Sequence, residues 1–255
     1  MTRFLINFTA LSALICAMII AISLTHHIAW AQPSKVEHIV PKNTRWERLY
    51  TKQGLTLFSA KRSTSDLPLL KGQGILKANL YEVMAVVEDA QTHSEWVYRM
   101  KRSEIFERPD PFHLRAYIQL DFPWPASDRD SVLQVEVTRL WEPHHEVWIT
   151  FQRSAHPKFP ERPDMVRTPQ SRGYTRLRWR SSTETEVMYV IDSDPGGSLP
   201  RWLIRWLSKD MPFKVLTGLT KRVRETRGQY EHFLNRWDPR RAPQEGAPPS
   251  FKLPE

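Results

Sequence analysis

From Phe112 to Phe122 apolar and polar residues alternate without a break. Phe112, Leu114, Ala116, Ile118, Leu120 and Phe122 fall on one side, and His113, Arg115, Tyr117, Gln119 and Asp121 on the other. Period two over this length predicts a strand with one buried and one wet face, as in an antiparallel sheet covered on one side. Further strands are predicted over 132–140 and 147–151, around a turn at Glu142-Pro143-His144-His145. A hairpin runs 174–180, turns at 181–185 and returns through Val187, Tyr189 and Ile191. On it Arg176, Arg178 and Arg180 share a face, with Glu184 and Glu186 at the turn and return, the pattern of cross-strand salt pairs on an outer surface. Upstream, 55–61 and 69–76 read as two strands around a polar turn holding Asp66 and Pro68.

Three stretches break this rhythm. Residues 46–50 are predicted as a short helix leading into Lys52-Gln53-Gly54. Over 81–96, Val83, Val86, Val87, Ala90 and Trp96 fall on one helical face, with His93 at its boundary. The longest stretch follows Asp194-Pro195-Gly196-Gly197, a run of turn formers. Ser198 is a candidate N-cap and Pro200 suits an early helical position. Apolar residues then recur at Leu199, Leu203, Leu207, Met211, Phe213, Leu216, Leu219, Val223, Tyr230 and Leu234, mostly three or four apart. One long helix closing the chain is predicted, kinked over 209–211 because Pro212 lacks an N–H and clashes with the preceding turn. The fold class is therefore α+β: a curved antiparallel sheet wrapping its apolar face around a long C-terminal helix, with a shorter helix inserted after the first strands. A space between sheet and helix suits an apolar ligand; a filled core is the alternative that pattern alone leaves open.

The N-terminus changes the picture of where this domain works. Arg3 precedes an uncharged apolar stretch over 4–24, and Ala29-Trp30-Ala31 gives a small-x-small site before Gln32. Residues 1–31 thus read as a secretory signal peptide, with an uncleaved anchor as the alternative because the stretch approaches the roughly 20 residues that span a bilayer. Either way the folded part is exported, in a bacterium to the periplasm, tethered to the inner membrane if the leader stays. Cys16 is the single cysteine and lies in this leader, so the exported part has neither disulfide nor thiol chemistry. Residues 32–44 read as a linker, 45–237 as the domain, and the proline-rich 238–255 as a disordered tail. The formal net charge is +9. Export and the lack of any nucleic-acid-binding motif exclude nucleic acid as the reason, leaving solubility or an anionic membrane surface. A monomer is expected.

Two motifs stand out together: Pro123-Trp124-Pro125-Ala126-Ser127-Asp128-Arg129-Asp130 between two strands, and Asp194-Pro195-Gly196-Gly197-Ser198-Leu199-Pro200 before the final helix. With Trp46, Gly54-Leu55 and the helix carrying Glu82-Val83-Met84-Ala85 and ending towards Trp96, they resemble bacterial START domains, the lipid-transfer domains related to steroidogenic acute regulatory protein. The resemblance covers roughly 45–235. It implies a helix-grip fold whose tunnel holds one lipid or sterol-like molecule, with the terminal helix and adjacent loops as a lid, and with neither catalytic residues nor a cofactor. In the Asp-Arg-Asp turn, Asp128 and Asp130 are expected to satisfy turn N–H groups and pair with Arg129. Several animal members carry a buried arginine on the strand after this turn; Val135 stands there in this chain, so a ligand class does not transfer with the fold.

The apolar faces place Leu114, Ala116, Ile118, Val135, Val137, Trp179, Tyr189, Leu216, Leu219 and Val223 as the expected tunnel lining. Arg201, Arg205 and Lys209 form an i, i+4, i+8 basic stripe beside Trp202 and Trp206. Cations in a helix's first turns oppose the macrodipole, so stability does not favour them there, whereas cations beside tryptophans suit an anionic headgroup layer. Core packing of both tryptophans is the rival explanation. His144 and His145, flanked by Glu142 and Glu146, offer metal-ligand types, yet adjacent strand residues point to opposite faces. Gly72-x-Gly74 lacks the third glycine of a dinucleotide site. No nucleophile with a base is evident. The expectation is an exported lipid-binding or lipid-transfer protein. Its rivals are a filled-core interaction module and a cyclase or hydrolase on the same fold.

Overall fold

A computed structural model describes residues 39–41, 43–62, 67–140 and 145–230, and of residues 139, 140, 201 and 204–209 the backbone alone. The strands are β1 (Glu47–Lys52), β2 (Leu55–Ala60), β3 (Leu69–Leu76), β4 (Met100–Asp110), β5 (His113–Leu120), β6 (Arg129–Leu140), β7 (Glu146–Ser154), β8 (Val166–Arg167), β9 (Gln170–Ser181) and β10 (Glu184–Asp194). Helix α1 (Leu80–Glu88), a 3-10 turn (Ala90–Thr92) and α2 (His93–Trp96) lie between β3 and β4, and α3 (Arg201–Glu225) follows β10. The strands form one sheet in the order β1-β2-β3-β10-β9-β7-β6-β5-β4, antiparallel throughout except for the short β8, which runs parallel to the start of β6. The α+β class and the curved sheet closed by a C-terminal helix are as the pattern predicts.

Period two decides which side of each strand meets the helices. Leu177 and Val187 face each other across β9 and β10, and with Leu55, Leu76, Val147, α1 and the C-terminal half of α3 they make a closely packed core. Asn79 sets the start of α1: its side-chain oxygen accepts the Tyr81 N–H, and the Glu82 carboxylate accepts the Asn79 N–H in return. The segment 81–96 is not one helix. Asp89 leaves the helical region at ψ 74° while its N–H still bonds Ala85 O, and the chain restarts as the 3-10 turn and α2.

Several expectations are corrected. Residues 47–50 of the expected helix lie in strand β1 instead, because the two-residue turn Gln53-Gly54, both at positive φ, folds β1 back onto β2 with Lys52 opposite Leu55. β4 has no apolar rhythm; as the edge strand it is rich in charge, which guards an open edge against foreign pairing. The N-cap of α3 is Pro200, not Ser198, and Leu203 N–H bonds Pro200 O. The helix continues through Pro212 and ends at Glu225; Gly228 at φ +78° turns the chain, and Tyr230 then donates to Asp89. Leu234, the signal peptide and the tail lie outside the described residues.

The outer face of the sheet is wet only in part. Of the salt pairs read from the sequence, those of Arg176 and Arg180 with Glu186 are present, whereas Arg178 bonds Glu146 of β7. Glu184 instead pairs with Lys77. Beside them Ile39, inside the expected linker, is buried against Tyr174 and Val190, with Trp46 and Trp148 around it. Asp192, on the same outer face, is fully buried between Arg62 and Arg172.

Helix α3 is held against α2 at Gly218, where an added Cβ would collide with the Trp96 carbonyl oxygen. Gly218→Ala should therefore destabilise the protein by about 1–3 kcal/mol through overpacking, although alanine gains about 1 kcal/mol of helix propensity over glycine. A urea titration checks this; an unchanged or higher midpoint would mean that α2 and α3 separate at little cost.

Candidate functional site

Between the sheet and α3 lies a cavity of about 360 Å³, within the roughly 300–1,000 Å³ span of small-molecule sites. Its wall is built by alternation. Leu114, Ala116, Ile118 and Leu120 of β5, Leu133, Val135 and Val137 of β6, and Ile149 and Phe151 of β7 point into it, as do Tyr189 and Ile191 of β10. Met211, Val215, Leu216 and Leu219 of α3 close it. Burial pushes the Tyr189 phenol pKa well up, so that group stays neutral.

Of the residues expected to line this space, Leu114, Ala116, Ile118, Val135, Val137, Tyr189, Leu216 and Leu219 do so. Trp179 and Val223 do not, which corrects the expectation. Val223 is buried in the filled core and Trp179 packs against it, near the β9–β10 turn, where α1 leaves no gap. The sequence pattern gave each the right face but not the right end.

His93, read as a boundary residue, is on the cavity wall instead. Its ring nitrogens meet Val87 O at 3.0 Å and Ser103 Oγ at 3.2 Å, and burial lowers its pKa despite the nearby Val87 carbonyl and Asp89. Glu88 and Arg108 form an ion pair at 2.9 Å beside it. Among the described residues no group of three His, Cys, Asp or Glu could share a metal ion. His144 lies outside them.

At the other end of the cavity the two sequence motifs meet. Arg129, 2% exposed, donates from Nε to Pro195 O at 3.1 Å and from one terminal nitrogen to Gly196 O at 2.9 Å, while the other bonds Ser127 O. Its guanidinium also lies 4.4 Å from the Phe122 ring centre. Gly196 and Gly197 take φ +65° and +70°, and Asp194 accepts the Gly196 N–H, which turns these carbonyls towards the arginine. The expected pairing of Arg129 with its flanking aspartates is overturned. Asp128 accepts from Lys101, Gln119 and the Phe122 N–H, which hold its carboxyl below the usual range. Asp130, on the opposite face of β6, takes a two-pronged bond from Arg167 at 2.7 and 2.9 Å and a further one from Tyr117.

The start of α3 lies at this same end. Trp202 is 54% exposed, so it is not a core residue, whereas Leu203 is fully buried. The side chains of Arg201, Arg205, Trp206 and Lys209 lie outside the described residues; the helical backbone puts 201, 205 and 209 on one face. Trp124, in the β5–β6 turn beside Arg129, is 89% exposed. It was legible only as part of a motif, because nothing in a single sequence says that a turn tryptophan stands free.

The family model described as START domain matches residues 34–228. The chain belongs to the START domain family. This START domain is 25% identical to rat phosphatidylcholine transfer protein over 178 residues, covering 69% of this chain and 82% of the rat protein. A solved fragment of a STAR-related lipid transfer protein from Xanthomonas axonopodis superposes with a TM-score of 0.63 at 25% identity, over 70% of this chain and 98% of that one. Human STARD10, at 20% identity and a TM-score of 0.66 over 82% of this chain and 84% of its own, shares the fold.

The Asp-Arg-Asp turn thus has a divided role, with Asp130 in the scaffold. Asp130→Ala would strand the buried Arg167 guanidinium and should cost about 3–5 kcal/mol. Guanidinium chloride unfolding measures it, and a loss below 1 kcal/mol would show that Arg167 finds another partner.

Proposed function

We propose that this START domain is an exported lipid carrier that holds one lipid or sterol-like molecule in the cavity between its sheet and α3. The observation that carries this reading is the cavity itself, walled largely by aliphatic and aromatic side chains of β5, β6, β7, β10 and α3. The likeness to a phosphatidylcholine transfer protein and to a bacterial lipid transfer protein supports it. Such a wall grips by removing apolar surface from water, about 25 cal/mol per Å², and asks no bond-making of its residues. The domain works as a monomer outside the cytoplasm, delivered by the leader over residues 1–31.

Loading and unloading would occur where the first turns of α3 and the β5–β6 turn touch an anionic membrane. Trp124 and Trp202, both exposed at the Arg129 end of the cavity, support this, since free tryptophans suit the headgroup layer. The basic face of Arg201, Arg205 and Lys209 would supply the electrostatic part, and the start of α3 would act as the lid.

Native mass spectrometry of protein purified from an exported preparation should show a stoichiometric adduct that extracts as a lipid, on a chain beginning at Gln32. A bare mass that takes up nothing from mixed vesicles would move the reading to a filled interaction module. Reversing Arg201, Arg205 and Lys209 to Glu should weaken binding to phosphatidylglycerol vesicles by at least about a hundredfold, since losing each basic residue alone costs roughly 1 kcal/mol, with the melting temperature kept. Undiminished sedimentation with those vesicles would remove α3 from the docking surface.

A further inference from the structure

The cavity wall changes character along its length. On β6 the inward positions run Arg129, Ser131, Leu133, Val135, Val137, from polar to aliphatic. On β10, antiparallel to β6 with β9 and β7 between them, they run the other way, from Tyr189 and Ile191 to Ser193. Ser171 at the start of β9 and Thr168 just after β8 complete the ring. The register aligns these ends: Val132 lies opposite Ser154, Gln152 opposite Arg172, and Ser193 opposite Ser171. One end of the cavity is therefore rimmed by a guanidinium and hydroxyls.

Two groups there have capacity to spare. A guanidinium has five N–H donors; three carbonyls engage Arg129, and no carboxylate among the described residues bonds it. Thr168 is 3% exposed, and its Oγ1 is buried without a hydrogen-bond partner. A buried polar atom left unpaired costs free energy that a folded protein seldom carries without a use. The surrounding charges are otherwise committed. Arg99 bonds Asp121, Asp128 bonds Lys101 and Gln119, Asp194 accepts the Gly196 N–H, and Asp130 faces away towards Arg167.

We propose that this end of the cavity receives an anionic head group, a carboxylate or a phosphate monoester, whose oxygens accept from the free Arg129 N–H groups and the Thr168 hydroxyl while the hydrocarbon lies along the aliphatic wall. The inference rests on the carrier reading and narrows its ligand from any lipid to an acidic one. Burial already lowers the Arg129 pKa, with Asp128 acting in the opposite sense, and an entering anion would favour the charged form further. The Glu88–Arg108 pair at the opposite end is self-neutralising and offers no such site.

The test uses delipidated full-length exported protein and four single-chain probes: oleate, oleoyl lysophosphatidic acid, oleoyl lysophosphatidylcholine and oleyl alcohol. Oleate or the lysophosphatidic acid should bind at least about tenfold more tightly than the other two, the worth of a hydrogen bond to a charged group. The tighter of the acidic pair tells a free fatty acid from a phosphate head. Thr168→Val should cost that acidic probe about tenfold while leaving oleyl alcohol binding unchanged and the melting temperature equal or higher, since the hydroxyl is buried without a partner in the free protein. Equal or tighter binding of oleyl alcohol, or a Thr168→Val effect shared by all four probes, overturns the anionic site and leaves the carrier reading standing. Binding of none of the four overturns both.

Discussion

A single buried guanidinium ties the start of β6 to the turn that leads into α3. Arg129 begins β6, yet its acceptors are the carbonyls of Pro195 and Gly196, which close β10 and aim the chain at α3. Removing a cation from water is expensive and is tolerated only where fixed dipoles replace the solvent. Here three carbonyls and the Phe122 ring do so, and the two glycines with positive φ make that arrangement of carbonyls reachable. The direction in which α3 leaves the sheet, and so the roof of the cavity, depends on this contact.

With the roof set from one end, the other end can pack solid. Leu177, Val187, Leu80, Val83 and Leu216 are essentially inaccessible, and Gly218 brings α3 down on the Trp96 carbonyl. A helix anchored by close packing at one end and by a polar clamp at the other spans the sheet without filling the gap beneath it. This division of labour reconciles a stable domain with a hollow one: the apolar area that stabilises the fold is concentrated away from the space left for a ligand.

The outer face shows a second use of buried polarity. Asp192 is fully buried yet lies between two arginines, and Glu146 is held by Arg176 and Arg178. Ile39 and Trp46 fold over the neighbouring Tyr174 and Trp148. Residues 39–41 therefore belong to the packed domain, although 32–44 reads from the sequence as a linker.

How legible all this was follows from the range of each cause. Alternation and helical period are local, so β5, β6, the β9–β10 hairpin and α3 could be read directly, and with them the inward face that holds Leu114, Ala116, Ile118, Val135 and Val137. Turn chemistry is nearly local, and the Asp-Pro-Gly-Gly run showed where β10 must stop. β1 and β4 were not legible, because an edge strand takes its conformation from the neighbour that pairs with it. Nor was the difference between Tyr189, on the cavity, and Trp179, beside the core, since both lie on inward faces and only the height of α1 and α3 above the sheet separates them. The sequence by itself determined the class of fold, the faces of its strands and the motifs of its family. Tertiary structure decided that Arg129 clamps a distant turn rather than its neighbouring aspartates, and that Thr168 is left buried with a hydroxyl to offer. Those outcomes depend on which groups tens of residues apart are brought together, which no local pattern encodes.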